Sequence, residues 1–307
     1  FKLYVSYREG GRPNGDISDP TRVREMIAAQ TRQPPLTPED TCSATDPVTE
    51  KLQHALDFFD PRIFGMLSAK VPLETIDRCD CALLSTDNMF NLDVLDSGCM
   101  RLIINLHKLN DLRWFNRYFL MAHDKLAPGG YLMGKAHTVA THRAYFREKY
   151  PKYLEALFYA ASFLWGRVFP KLPWLQKIYF AVTQGRNRMV SRAEILGRLC
   201  FCGFRIVDEG VFDHRFYFIA QKSQAPSNNR HPSYGPLVNL RRRGLGGRPL
   251  KVYKFRTMYP YSEFLQEYVY AHNALAEGGK FKDDFRVTAW GAFLRRTWID
   301  ELPMLYN

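Results

Sequence analysis

"MRLIINLHKLNDLRWFNRYFLMAHDKLAPGGYLMGKA", residues 100–136, reads as three elements in succession. An apolar run of buried-strand type opens it. Residues 109–126 then space their apolar side chains at helical intervals, and Pro128-Gly129-Gly130 turns the chain into a second strand. Strand, helix and strand in this order are the unit of an α/β layer fold. Working outward, "CALLST" (81–86) adds another short buried-strand run, and helical spacing returns over residues 51–60. On the other side, "SRAEILGRLCFCGFRIVDEGVFDHRFYFIAQK" (191–222) sets Ser191 and Glu194 in capping-box spacing, which predicts a helix to Gly203 followed by a hairpin of two strands. Residues 1–50 hold "EGGRPNGD" and "TRQPPLTPED", and are expected to form an extended arm around one short helix, "TRVREMIAAQ".

The chain has 307 residues, 46% of them apolar, so it can bury a sizeable core and is expected to hold about two domains. Its 43 Lys and Arg against 31 Asp and Glu give a net charge of +12, which favours an anionic partner: nucleic acid, nucleotide phosphate or an anionic membrane. The six cysteines, without any stretch that reads as a signal peptide, predict reduced thiols in a cytosolic setting. The pairs in "DRCDCALL" and "RLCFCGF" are spaced more tightly than zinc sites favour, and fit packing on one face of an element.

Between the helix–strand unit and the later hairpin lies the segment 153–182. Its uncharged run, 156–166, falls short of the ~20 residues needed to span a bilayer. Residues 139–192 nevertheless carry ten Lys or Arg against two Glu, with Trp165 and Trp174 among them and breaks at Pro170 and Pro173. Two readings stay open: a segment lying in the headgroup region, or a core helix pair with a solvated basic face.

After the Pro/Ser/Asn linker at 223–234 the composition shifts. Residues 235–262 contain seven Lys or Arg and no acidic residue before Glu263, with "GLGG" at a turn between two strand-like runs. Arginine offers a planar fork matched to phosphate oxygens, so such a hairpin can grip a diphosphate. Close to the other end, "WIDELPMLYN" sets Asp300 and Glu301 side by side in an apolar frame. A carboxylate is ionised at neutral pH and can attack phosphorus without a base, provided that cations neutralise the charge it approaches. If "AFLRRTWIDEL" is one helix, Arg296 and Asp300 share a face.

Two resemblances follow from these residues. The strand–helix–strand unit with its later helix–Gly–Phe hairpin resembles the second half of a class I S-adenosylmethionine-dependent methyltransferase. No Gly-x-Gly-x-Gly turn is found, so residues 51–222 are expected to form an incomplete Rossmann-like scaffold without methyl transfer. "RRRGLGGRPLKVYKFRTM" (241–258) and "DDFRVTAWGAFLRRTWIDELPMLYN" (283–307) closely resemble the bacterial sugar transferase family, the polyprenyl-phosphate phosphoglycosyl transferases. The resemblance covers residues 235–307 and implies part of a small α/β catalytic domain. It implies that Asp300 attacks the β-phosphate of a UDP-sugar, that Glu301 helps to hold Mg²⁺, and that polyprenyl phosphate accepts the sugar phosphate, which starts a surface glycan. Arg243, Lys254, Arg256, Arg286, Arg295 and Arg296 are the phosphate clamps expected on this reading.

The family usually sets a membrane-dipping helix before the basic hairpin, where this chain is polar. Segment 153–182 is therefore the expected anchor, at the cytoplasmic face of the inner membrane. The family also continues past the position of Asn307 into a region that completes its phosphate site. No nucleic acid is expected. The contrasting reading is a non-catalytic basic module that binds nucleic acid or anionic lipid.

Overall fold

The computed structural model describes residues 2–5, 49–229, 232, 234–272 and 284–306. Most of the expected N-terminal arm and its short helix lie outside the described residues. The architecture is α/β. The main sheet has the order β1-β2-β3-β4-β6-β5, built from Lys2–Val5 (β1), Cys81–Ser85 (β2), Met100–Lys108 (β3), Leu126–Ala136 (β4), Phe204–Phe212 (β5) and Arg215–Lys222 (β6). β1 to β4 run parallel, and β6 returns antiparallel between β4 and β5. Leu102, Ile103 and Ile104 are all fully buried, because a parallel strand covered on both faces has no wet side and reads as a continuous apolar run.

Helices cover the two faces. On one, Thr49–Asp57 (α1) and Pro61–Ser68 (α2) bury Leu52, Leu56, Ile63 and Leu67 against Ile104, Tyr217 and Ile219. On the other lie Phe90–Asp93 (α3), Phe115–Lys125 (α4) and Arg192–Phe201 (α8), while Val139–Lys149 (α5), Lys152–Phe163 (α6) and Pro173–Thr183 (α7) come between α4 and α8 in the chain. Here Tyr118, Phe119, Leu196 and Leu199 meet Phe204 and Phe218 in a second core. Ser191 caps α8 by accepting the Glu194 amide, as its spacing predicts. The Glu194 side chain departs from the capping box and turns inward instead, to Arg167, Arg198 and Tyr234. Cys79 is disulfide-bonded, against the expectation of reduced thiols, whereas Cys81, Cys99, Cys200 and Cys202 are free.

The basic hairpin pairs Leu237–Arg243 (β7) with Pro249–Phe255 (β8) antiparallel. After it the chain does not leave the sheet domain. Tyr261, Leu265 and Val269, the last on Gln266–His272 (α9), are buried in the same core as α4 and α8. Tyr261 lies so close to α8 that a Cβ on Gly197 would stand 2.3 Å from the Tyr261 carbonyl oxygen, so only glycine admits this contact. The linker is also held: the Ser227 amide donates to the Phe201 carbonyl, and the Tyr234 hydroxyl donates to Glu194.

Candidate active site

The carboxylate pair depends on how two motif blocks dock. Thr257 follows β8, and Ala289–Arg296 (α10) crosses it. The Thr288 amide donates to the Thr257 carbonyl at 3.0 Å, Arg295 Nε donates to Thr257 Oγ1 at 2.9 Å, and Thr288 caps α10 by accepting the Gly291 amide. The approach leaves no room for a side chain, since a Cβ on Gly291 would lie 1.9 Å from the Thr257 oxygen. Met258 bridges Val287, and the Tyr259 amide donates to the Arg286 carbonyl.

This clasp accounts for Arg286. It was expected to clamp substrate phosphate, but it is buried, with both guanidinium arms on Asp284 and Nη1 on Gln266. Burial pushes the Asp284 carboxyl up, and the Arg286 hydrogen bond, with Arg295 nearby, brings it below its ordinary value. The pair therefore holds the 284–296 block in place rather than facing a ligand. The signal was present in the sequence, because Asp and Arg two residues apart can close a bidentate loop.

Past α10 the predicted continuous helix breaks. Thr297 ends α10 and Trp298 takes a left-handed conformation at φ 60°; a 3₁₀ helix then runs from Ile299 to Tyr306. Arg296 and Asp300 consequently do not form the expected i,i+4 pair. The 3₁₀ helix lies along β8, with Tyr253 and Tyr306 edge to face and Lys254 Nζ 2.5 Å from Glu301 Oε1. Asp300, half-buried beside it, has no hydrogen-bond or ion-pair partner among the described residues.

The other expected clamps are divided. Arg296 is exposed on the last turn of α10. Arg256 directs Nε to the Gly235 carbonyl at 2.8 Å, and burial lowers its pKa from the ordinary value without threatening its charge. Arg243 pairs with Pro249 at the turn end of the hairpin, roughly 17 Å along the strand from Lys254 at about 3.4 Å per residue, so the hairpin does not bring Arg243 to the carboxylates. Sequence reasoning missed Thr257, the residue on which both blocks rest.

No group of three or more metal-ligating side chains occurs among the described residues. Mg²⁺ needs fewer: it takes one or two carboxylates, several waters and substrate phosphates. Asp300 and Glu301 fit that donor set, with Lys254 standing as the cation now paired to Glu301.

Comparison with known proteins bears on the segment just described. The model of the bacterial sugar transferase family matches residues 229–307. The galactosyl transferase CpsE of Streptococcus agalactiae serotype III is 42% identical over 76 residues, 24% of this chain and 17% of that protein. The UDP-glucose:undecaprenyl-phosphate glucose-1-phosphate transferase of Xanthomonas campestris pv. campestris is 39% identical over 24% of this chain and 14% of its own. The undecaprenyl-phosphate galactose phosphotransferase of Salmonella typhimurium is 37% identical over 24% and 17%. The chain thus spans less than a fifth of the length of these three relatives. A solved S-adenosylmethionine-dependent methyltransferase from Mesorhizobium loti aligns with 46% of this chain and 79% of its own, at 13% identity and a TM-score of 0.29, a likeness that assigns no activity to the sheet domain. Residues 229–307 of this chain, which hold the Thr257-centred clasp and the Asp300–Glu301 pair, are thus the part that is similar to the bacterial sugar transferase family.

Proposed function

We propose that this protein transfers a sugar 1-phosphate from a UDP-sugar to polyprenyl phosphate, the step that starts a surface glycan, with Asp300 as nucleophile. The observation that carries the reading is the contrast inside one motif. Asp284 is saturated by Arg286, whereas Asp300 has no partner among the described residues and stands beside a Glu301 already paired with Lys254. A carboxylate oxygen left open next to a cation suits attack on an anionic phosphate.

In the first step a carboxylate oxygen of Asp300 bonds to the β-phosphorus of the UDP-sugar. The bond from that phosphorus to the oxygen bridging the two phosphates breaks, and UMP leaves with the electron pair. In the second step a phosphate oxygen of the polyprenyl acceptor attacks the same phosphorus and restores the Asp300 carboxylate. Lys254, Arg295 and Arg296 lie on the elements that flank the pair and supply positive charge for the transferring group, and Arg256 holds the start of β7 against the end of β8. Arg286 and Arg243 have no part in this step. Mg²⁺, when bound through Glu301 and the substrate phosphates, would add charge neutralisation there.

The test is UMP release from a panel of UDP-sugars in the presence of polyprenyl phosphate and Mg²⁺. Asp300→Asn should lower release by roughly 10³-fold or more, as loss of a nucleophile does. Release at the wild-type rate from that variant would sink the assignment. Absence of release from every UDP-sugar tried would sink the reading as a whole.

A further inference from the structure

The α6–α7 segment carries two apolar stripes that nothing among the described residues covers. On α6 and the turn after it, Tyr153 is 78% exposed, Leu157 63% and Leu164 49%, with exposed Ala160 and Ala161 between them. On α7, Trp174 is 88% exposed, Ile178 58% and Val182 67%. Each set recurs at helical spacing, so each forms one continuous face, whereas scattered exposed apolar residues would not. Helices packed as core elements turn this stripe inward; here it is turned outward. The core reading of the segment is therefore corrected for these faces, although Tyr179 remains fully buried on the inner side of α7.

The rims of the stripes are cationic. Arg147, Lys149, Lys152 and Lys177 are exposed along the three helices. Of the two acidic residues, Glu148 is held by His214 and Glu155 is half-buried. Apolar faces with aromatic ends and a basic rim match the headgroup layer of an anionic bilayer, where rings and lysine stems reach the apolar depth and the charges meet lipid phosphate. No helix among the described residues is long and apolar enough to cross a membrane, so contact through these faces would be lateral.

The segment is also bound to the body. After α6, Leu164–Val168 forms a π turn and Phe169–Lys171 a 3₁₀ turn. Trp165 packs on Phe169 and Tyr179, each at 5.5 Å between ring centroids. Arg167 from the π turn donates to Glu194 and to the Met189 carbonyl, and its guanidinium lies 5.5 Å over the ring of Tyr259, three residues beyond Arg256. One buried hub thus joins the outward helices to the transferase segment.

We propose that the outward faces of α6 and α7 lie in the headgroup layer of an anionic phospholipid bilayer and, through Arg167, hold the transferase segment at that surface. The purpose rests on the proposed lipid acceptor, but the binding does not. The experiment therefore needs no sugar donor, and its failure is distinguishable from failure of the transferase reading.

The full chain is mixed with vesicles of phosphatidylglycerol and phosphatidylcholine and floated through a density gradient. The wild type should float. Leu157→Glu/Trp174→Glu, both at highly exposed positions, should lose about tenfold or more in partition coefficient while keeping its thermal melt, because two apolar anchors are exchanged for charges. Phe90→Glu, equally exposed at 66% but on α3, should float as the wild type does. Replacing phosphatidylglycerol by phosphatidylcholine alone should weaken binding. A second measurement avoids charged substitutions: brominated phospholipid should quench tryptophan fluorescence of the wild type more than that of Trp174→Phe. A wild type that stays at the bottom of the gradient, a double variant that floats equally, or equal quenching in the two proteins would overturn the proposal. So would a wild type that sediments as a dimer through this face and does not float, which would make the occupant a second copy of the chain.

Discussion

Two carboxylates of this molecule stand among arginines and lysines, and their surroundings are opposite. Glu194 on α8 is 3% exposed and accepts from Arg167 at 2.5 Å, Arg198 at 3.3 Å and the Tyr234 hydroxyl at 3.0 Å. Asp300 is half-buried and without a partner among the described residues, although Lys254 lies on its neighbour. A buried charge must be saturated, or its desolvation goes uncompensated. The nucleophile proposed at Asp300 must be left open, so that its lone pairs remain for phosphorus. The chain separates the two demands by about a hundred residues and meets them with the same side-chain types.

The comparison breaks if the two substitutions behave alike. Glu194→Gln should destabilise the fold by about 3–5 kcal/mol, since it leaves Arg167 and Arg198 buried without their counter-charge. Urea denaturation measures it. Asp300→Asn, which removes no hydrogen bond or ion pair among the described residues, should stay within about 0.5 kcal/mol of wild type in the same assay while losing UMP release. A large stability loss at Asp300 would mean that it, too, is structural.

Next in size is Gly291→Ala. Its Cβ would meet the Thr257 carbonyl, and the docked blocks must separate, at a cost of about 3 kcal/mol. Activity and stability should fall together here, which the denaturation midpoint and UMP release taken side by side will show.

Acid sharpens the comparison from another direction. Burial by itself would push the Glu194 carboxyl up from 4.5, but Arg167, Arg198 and Lys171 outweigh it and hold it at about 2. Because the folded value is the lower one, this contribution is fully present above about pH 4.5 and is lost as the pH falls toward 2. Denaturation midpoints of wild type should therefore fall over that window, and those of Glu194→Gln should fall less. The smallest effect is expected at Arg296→Ala, an exposed residue outside any clasp: stability unchanged within about 0.5 kcal/mol, with a rise in KM for the UDP-sugar.

The strands and the two hairpins were legible because their signal is local. Leu102-Ile103-Ile104 can only be a run buried on both faces, and the alternation of "LKVYKF" suits a strand. Ser191 was legible as a cap for the same reason. What sequence reasoning missed depends on partners distant in sequence. Nothing about Arg286 distinguishes a buried clasp from a free clamp except the nearby Asp284. Trp298 ends a predicted helix in a left-handed conformation that glycine usually supplies, so no residue type announced the break. Gly197 and Gly291 were readable in principle, since a glycine inside a helix marks a close approach, but what approaches is chosen by the tertiary fold. Residues 261, 264, 265, 268 and 269 hold a helical apolar pattern that called for a partner, and α8 is that partner.

The burial of Tyr261, Leu265 and Val269 in the sheet domain's core sets where the polypeptide can be cut. An engineer guided by the polar stretch at 223–234 would split the chain there and expect two parts that fold separately. Each would be left with a wound: the front part with an empty groove along α8 where Gly197 waits for a backbone, the rear part with three large apolar side chains in water. Segment 229–307 and the sheet domain should therefore melt as one, in a single calorimetric transition, and transplanting the segment onto another carrier requires bringing a matching α8 with it.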